Sequence, residues 1–392
     1  MVPQPAILTG QQIGAGWTPA LSVVKALTAL MEARRKGLRA VYWMADEDHD
    51  RQEVAQTFGF QGERLLPHRF RFQAPEGTAT GWLPWTETHQ SEAETLWGAL
   101  PHPTSPDLRG HALALGQPLW DLGLEPFSPT RTPGREAIQD ELERWRAMDL
   151  EVDLAQQAER LLAEGAPLPL DPRSQSAWFR LNPRTGMRRR LDRGELCPRG
   201  WWLSPGAALR PLMQSLLLPV EGVVLGPAER AYWRLTEPLW DRVDLQAPRI
   251  IPRPTVFVVP PGLDLDAEAL ATLKTGRWEL FRDLALTLPS QTLEALPPDP
   301  SWGLALTERF AKELDRTRKR LEKLDRRLAR DCAARRFGGD PERLRQQLFP
   351  FDRPQERVLP GIHWLRDPQL LQRILEGLEG GEPLVFVETT PH

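Results

Sequence analysis

The densest chemical run in the chain is Asp46-Glu47-Asp48-His49-Asp50, five ionisable side chains directly after an apolar stretch. An imidazole among carboxylates can move a proton near neutral pH while its neighbours orient it or hold a cation. An acidic solvated turn would look the same, and a lone imidazole argues against zinc. A second candidate is Thr9-Gly10-Gln11-Gln12-Ile13-Gly14-Ala15-Gly16, between an apolar run and a helical pattern. Backbone N–H groups at a helix start favour an anion, glycines let a ligand approach, and Gln11 and Gln12 add amide donors and acceptors. The spacing fits neither a dinucleotide fingerprint nor a Walker loop, and an ordinary glycine turn is the alternative. Lys25, nearly two turns into that helix, could reach a phosphate or carboxylate, or simply be solvated. Arg210, Gln214, Glu229 and Tyr232 flank a second strand-turn-helix unit, where Glu229 would also complement a helix dipole. Cys197 and Cys332 lack a neighbouring histidine or a CxxC partner and read as non-catalytic.

These groups need a scaffold, and the pattern supplies one. Ala6–Thr9 reads as a strand, residues 10–16 as a turn, Thr18 as an N-cap with Pro19 at the first helical position. Ala20, Val23, Val24, Leu27, Leu30 and Met31 recur at helical spacing until Gly37 stops the helix. Ala40–Ala45 is a continuous apolar strand of the buried parallel kind. Ligands bind beyond the carboxyl ends of such strands, so the glutamine loop and the acidic run should share one crevice edge. A second unit follows: a strand over Val220–Leu225, a turn at Gly226-Pro227, and a helix over Ala228–Val243. Pro254–Val259 and Leu384–Val387 read as further strands, the latter returned to the same sheet. Between these pieces lie an alternating Arg69–Phe72, a long amphipathic helical pattern over Thr132–Glu164, and a hairpin joining Trp178–Leu181 to Met187–Leu191.

The expected fold class is therefore α/β: a Rossmann-like parallel-sheet core from residues 1–60 and 205–262, with 61–204 inserted. Residues 263–345 should form a helical coiled-coil domain, and 346–392 should return to the core. Phe310, Leu314, Thr317, Leu321, Leu324 and Leu328 make a heptad seam within Leu304–Arg336, after prolines 297, 298 and 300 and before Gly338-Gly339. Such a helix would reach about 50 Å and seek a partner helix, its neighbour or another subunit. From Lys312 to Arg336 it carries eleven basic and five acidic residues, a solvated flank or a nucleotide or nucleic-acid contact.

Composition narrows the classes. With 41% hydrophobic and 26% charged residues, the 392-residue chain is an ordinary globular protein. A net charge of −3 offers no field for nucleic acid or an anionic membrane. The most apolar window, Leu209–Leu225, is broken by Arg210, Gln214, Pro219 and Glu221, so no span is expected. Two cysteines, with no basic-then-apolar start, suggest a reducing cytoplasm.

In combination, these residues resemble the bacillithiol biosynthesis cysteine-adding enzymes, also called cysteine ligases. Thr9-Gly10-Gln11-Gln12 with Gly14, Pro19 and Lys25 is similar to that family's opening. Trp43-Met44-Ala45 with Glu47-Asp48-His49-Asp50 is similar to its second motif. Leu209-Arg210-Pro211 with Gln214, Leu218-Pro219, Gly226-Pro227 and Ala231-Tyr232-Trp233 resembles its middle signature, followed by Pro252-Arg253. Leu321-Glu322-Lys323-Leu324, Leu348-Phe349-Pro350 and Gln355-Glu356-Arg357-Val358 resemble its coil and tail. Departures occur at Ile13, Ala15–Thr18 and Asp46, and the insertion and coil are shorter than usual.

The resemblance implies a nucleotidyltransferase-like Rossmann core with a dimer-forming coiled coil. It implies the last step of bacillithiol synthesis, joining the carboxylate of L-cysteine to the amine of glucosaminyl-malate. ATP or another nucleotide, with Mg2+, is the natural source of activation. Gln11, Gln12 and the helix terminus would hold an anionic group, His49 would act as base, and Asp48 or Asp50 would orient it. Arg210 and Lys25 would neutralise malate or phosphate, with Thr9, Gly10, Gly14, Glu47, Gln214, Gly226, Glu229, Tyr232 and Arg253 lining the substrate site. A nucleotidyltransferase acting on another small substrate and a non-catalytic coiled-coil scaffold are the rival expectations.

Overall fold

The computed structural model describes residues 4–62, 64–168, 170–172, 177–263, 265–277, 299 and 301–389. It divides into two compact units, one of residues 1–257 with 356–387 and one of 258–355 with 388–392. Among the described residues twelve strands run in chain order: β1 Ala6–Gln11, β2 Arg39–Met44, β3 Gln56–Gln61, β4 Arg64–Arg69, β5 Leu124–Phe127 and β6 Trp178–Leu181. They continue with β7 Arg188–Arg190, β8 Trp202–Pro205, β9 Val220–Leu225, β10 Arg249–Pro252, β11 Thr255–Val259 and β12 Leu384–Glu388.

The core is a five-stranded, wholly parallel sheet in the order β10-β9-β1-β2-β5. β1 and β2 pair in register from Ala6 opposite Arg39 to Gln11 opposite Met44. From β1 the chain first winds one way, to β2 and β5, and later the other way, to β9 and β10. The order therefore reverses between β1 and β9, and a crevice opens there beyond the carboxyl ends. Alternation along the strands sorts their side chains. Ala6, Leu8, Val41, Trp43, Val223 and Leu225 join a core with Leu142, Trp145, Leu154, Trp178 and Leu212. Helix α1 (Leu21–Lys36) is buried along most of its length and packs on β1 and β2, with helix Pro368–Glu379 outside it. Gly37, at φ 64°, caps α1 as expected.

Several expectations need correction. β11 and β12 form a two-stranded sheet of their own, because the place beside β9 is taken by β10. The edge strand β5 comes from within the expected insertion; its four residues include Pro126, which an edge strand tolerates. Thr18 is no N-cap: its hydroxyl donates to the Ala15 carbonyl, and Ala20 occupies the cap position without a side-chain bond. The expected helix over 228–243 is three pieces, Pro227–Trp233, Arg234–Thr236 and Leu239–Arg242, with Pro238 before the last. The pattern over 132–164 is likewise Gly134–Ala137, Gln139–Ala147 and Leu150–Ala163, where Asp149 at φ 56° turns the chain before the third. Arg69–Phe72 is not a strand beyond Arg69, although Phe70 and Phe72 are buried against Trp85.

The hairpin β6–β7 forms as expected, and β8 joins it in a three-stranded sheet. In the second unit one helix, Leu304–Phe337, covers the expected heptad seam, with Gly338 as its left-handed cap. Leu304, Leu306 and Leu324 are exposed along it. Prolines 297, 298 and 300 lie outside the described residues. Among the described residues no helix is long and apolar enough to cross a membrane.

Candidate active site

A cavity of about 470 Å³ opens at the β1/β9 switch point. It is lined by Thr9, Gly10, Gln11 and Gln12 of the first loop, and by Pro19, Leu21 and Lys25 beyond it. Asp48, Arg210, Gln214, Gly226, Glu229, Tyr232 and Arg253 complete the expected set that reaches it. The glutamine loop and the acidic run share one pocket through Asp48 alone; Asp46, Glu47, His49 and Asp50 do not line it.

Gly10 is required by packing. A Cβ there would lie 2.6 Å from the carbonyl oxygen of Trp43 on the neighbouring strand. Gly14 is excluded from side-chain bearing in the same way, by the Thr18 carbonyl at 2.8 Å, and it does not line the cavity. Lys25 is buried with its ammonium turned to Glu229 Oε1 at 2.7 Å, Gln11 Oε1 at 3.3 Å and the Gly10 carbonyl. Three donors meet three acceptors, so this lysine ties the loop to the helix after β9. Glu229 Oε2 accepts from the Gly226 N–H at 2.8 Å, so both its oxygens are engaged.

The acidic run separates into distinct roles. Asp46 is fully buried; its Oδ2 accepts from Ser128 at 2.5 Å and Thr130 at 2.8 Å. Burial lifts its carboxyl to about 6 against the pull of these hydroxyls and Arg109. Glu47 lies wholly buried beneath the cavity, held by Arg135 at 3.0 Å and Ser204 at 3.1 Å. Asp48 reaches the cavity and accepts from Arg210 at 2.8 Å and Arg188 at 3.5 Å. Burial alone would raise the Asp48 carboxyl, but the two guanidiniums hold it well below the carboxylate range. Arg188, carried in by β7, is pushed down to about 10 by its own burial.

His49 is not among the lining residues. Its Nδ1 sits 3.1 Å from Arg188 Nη1, and its ring packs near Phe179. Arginine only donates, so Nδ1 accepts and the neutral ring carries its proton on Nε2. Burial and then Arg188 lower the His49 pKa, which favours that neutral form. Asp50 caps helix α2 (Arg51–Ala55), its Oδ1 accepting the Gln52 and Glu53 N–H groups at 3.0 Å each. Burial and then Glu229 raise the Tyr232 pKa, so its hydroxyl stays neutral.

Among the lining residues not anticipated as site residues, Trp43, Glu53 and Arg357 bear on the chemistry. Trp43 follows from strand alternation, two residues before Ala45 at the same sheet edge. Glu53 stands one turn beyond the acidic run and makes no side-chain hydrogen bond among the described residues. Loss of hydration, then Asp50 and Asp48, raises its pKa. Arg357 lies more than a hundred residues beyond Arg253, a separation that no local spacing can bridge. Arg253 is anchored by an ion pair of 2.7 Å to Glu356, whose other oxygen accepts the Val256 N–H at 2.9 Å.

The sequence matches a family model described as the N-terminal Rossmann-like domain of bacillithiol biosynthesis BshC, over residues 197–254. A protein of Thermus thermophilus named "Putative cysteine ligase BshC" is 30% identical, over 97% of this chain and 88% of its own length. Proteins of the same name from Salinibacter ruber and Chlorobaculum tepidum are 25% and 24% identical, over 90% and 96% of this chain and 72% and 81% of theirs. A parallel sheet that reverses at a lined cavity and near full-length similarity to these relatives agree: the chain belongs to the BshC family of bacillithiol biosynthesis.

Proposed function

We propose that this enzyme joins the carboxyl group of L-cysteine to the amine of glucosaminyl-malate, the last step of bacillithiol synthesis. The observation that carries the proposal is one cavity at the switch point, walled by arginines and carboxylates, in a chain matching cysteine-ligase relatives along nearly its whole length. Its volume of about 470 Å³ suits small polar substrates. Arg253 meets a carboxylate or phosphate group, and the glutamine side chains orient it.

A carboxylate resists attack by an amine, and a nucleotide such as ATP would supply the activation that makes one carboxyl oxygen a leaving group. Mg2+ would travel with its phosphates; among the described residues no three His, Cys, Asp or Glu side chains converge as a metal cage. In the amide-forming step the amine nitrogen bonds to the acyl carbon, the activated C–O bond breaks, and the nitrogen gives up a proton. Asp48 is a weak base because two arginines stabilise its charge, and His49 is not a lining residue. Glu53, lining the cavity with an elevated pKa, is the better acceptor of that proton. Helix Leu304–Phe337 pairs with its copy to make a homodimer.

The test is purified protein with glucosaminyl-malate, L-cysteine and ATP, read by mass spectrometry. Bacillithiol is expected, with nucleotide consumed. A nucleotide-modified substrate in its place would install the nucleotidyltransferase alternative, and no product at all would overturn both.

A further inference from the structure

Arg253 has one edge spent and one edge open. Its Nη1 donates to Glu356 Oε1 and to the Pro254 carbonyl, each at 2.7 Å. Its Nε, on a side chain buried to within a few per cent, finds no partner among the described residues. A buried guanidinium N–H without an acceptor costs folding free energy unless a ligand supplies one. A Cβ on Gly226 would lie 3.7 Å from this Nε and 3.3 Å from Glu229 Oε2, with nothing else within 4 Å. The missing side chain therefore leaves a gap in the cavity wall beside that unpartnered Nε. Arg357, next in sequence to Glu356, lines the same cavity and makes no hydrogen bond or ion pair among the described residues. Glu229, which borders the same gap, is matched by Lys25, and that leaves Glu356 alone against two guanidiniums, so the wall carries surplus positive charge. The other cations of the cavity are committed, Lys25 to three acceptors and Arg210 to two carboxylates, with Nη2 on Asp48 at 2.8 Å and Nε, which makes no hydrogen bond among the described residues, 3.8 Å from Glu47.

We propose that Arg253 Nε and Arg357, across the gap left by Gly226, form a subsite for a carboxylate or phosphate group of the substrates, an assignment resting on this cavity being the ligase's substrate cavity. Glu356 is its positioning residue. It holds Arg253 by one edge so that the other faces the ligand, and a guanidinium fixed this way gives an oxyanion directional N–H bonds.

The experiment is calorimetric titration of the full chain with L-malate and, separately, with inorganic phosphate at constant ionic strength. Binding of L-malate assigns the subsite to the malate moiety, binding of phosphate to the nucleotide, and either supports it. R357Q should weaken the bound probe about tenfold, the usual worth of a charge-assisted bond. G226A, whose backbone is compatible with alanine, should also weaken it by filling the gap. R230Q, an exposed charge on the same helix as Glu229, should change affinity less than about twofold. R253K keeps a cation for Glu356 but has no Nε–H, so it should spare kcat and raise KM for the substrate whose probe binds, glucosaminyl-malate for L-malate or ATP for phosphate. Binding of neither probe, or wild-type affinity in R357Q and G226A alike, overturns the subsite. Bacillithiol formation with wild-type KM in R357Q would sink the subsite and leave the ligase standing. Probe binding that depends on Arg357 without product would do the reverse.

Discussion

At the scale of single residues, burial decides what each ionisable group can do. Asp46 belongs to the acidic run by sequence but serves the fold, joining the end of β2 to Ser128 and Thr130 after β5. Its folded pKa of about 6 exceeds the ordinary 3.8, so between those values the folded state holds a proton that the unfolded chain releases. Raising the pH through that window therefore destabilises the fold, by about 3 kcal/mol for a two-unit shift. D46N has nothing to titrate there. Denaturation of both proteins at pH 4 and pH 7 should show wild type losing that much relative to D46N; parallel curves would refute it. Lys25 makes the opposite lesson. It looked like a ligand for an anion, yet its ammonium is filled by protein acceptors. K25M should cost about 2 kcal/mol, less than the roughly 3–5 kcal/mol of a fully buried pair because Glu229 keeps some access to water. A variant of wild-type stability with only a raised KM would return Lys25 to substrate binding.

At the scale of elements, much was legible where one local pattern governs. α1, β2 and the 34-residue helix announce themselves by unbroken periodicity and glycine stops. β5 and β10 escaped because each is four residues long with a proline, and only a neighbouring strand makes them extended. The acidic run pointed to the correct sheet edge, but its side chains diverge once α2 begins at Arg51. There Asp50 is a cap, and removing it should cost about 1 kcal/mol and fray the turn that presents Glu53. D50N retains an oxygen for the cap and should keep near wild-type kcat, whereas D50A and E53Q should lose it. Equal loss in D50N and D50A would restore a charge role to Asp50. The long helix makes its own prediction. Its seam residues Leu321 and Leu324 are left half-covered or exposed by the single chain. Twice the 44.5 kDa chain, about 89 kDa, is expected in sedimentation. L321E/L324E should run at half that mass with its helicity intact, and a monomeric wild type would refute the pairing.

At the scale of the whole molecule, the site is a product of topology. Thr9–Gln12, Asp48, Gly226 and Arg253 follow or end four different strands of one sheet, which collects them because all its strands run the same way. Thr9–Gln12, Asp48 and Gly226 were legible because each sits at the end of a recognisable apolar run, whereas Arg253, after the unrecognised β10, came from the family resemblance alone. Sequence reading missed Arg357, which enters through a returning tail bonded to the first loop at Ala20–Leu359 and Trp17–Gly361. Every residue lining the cavity belongs to the unit of residues 1–257 and 356–387. A ligand there bridges segments from nearly the full length of that unit and cannot bind it once unfolded. At a concentration of one hundred times Kd it should stabilise the unit by about 2.7 kcal/mol. For a domain of this size that is a rise in Tm of several degrees, roughly 2–4 °C per kcal/mol. In scanning calorimetry with L-malate or phosphate, the transition of this unit should move while that of residues 258–355 stays in place. A shift confined to the smaller unit would put the binding site elsewhere, and with it the chemistry assigned to the switch point.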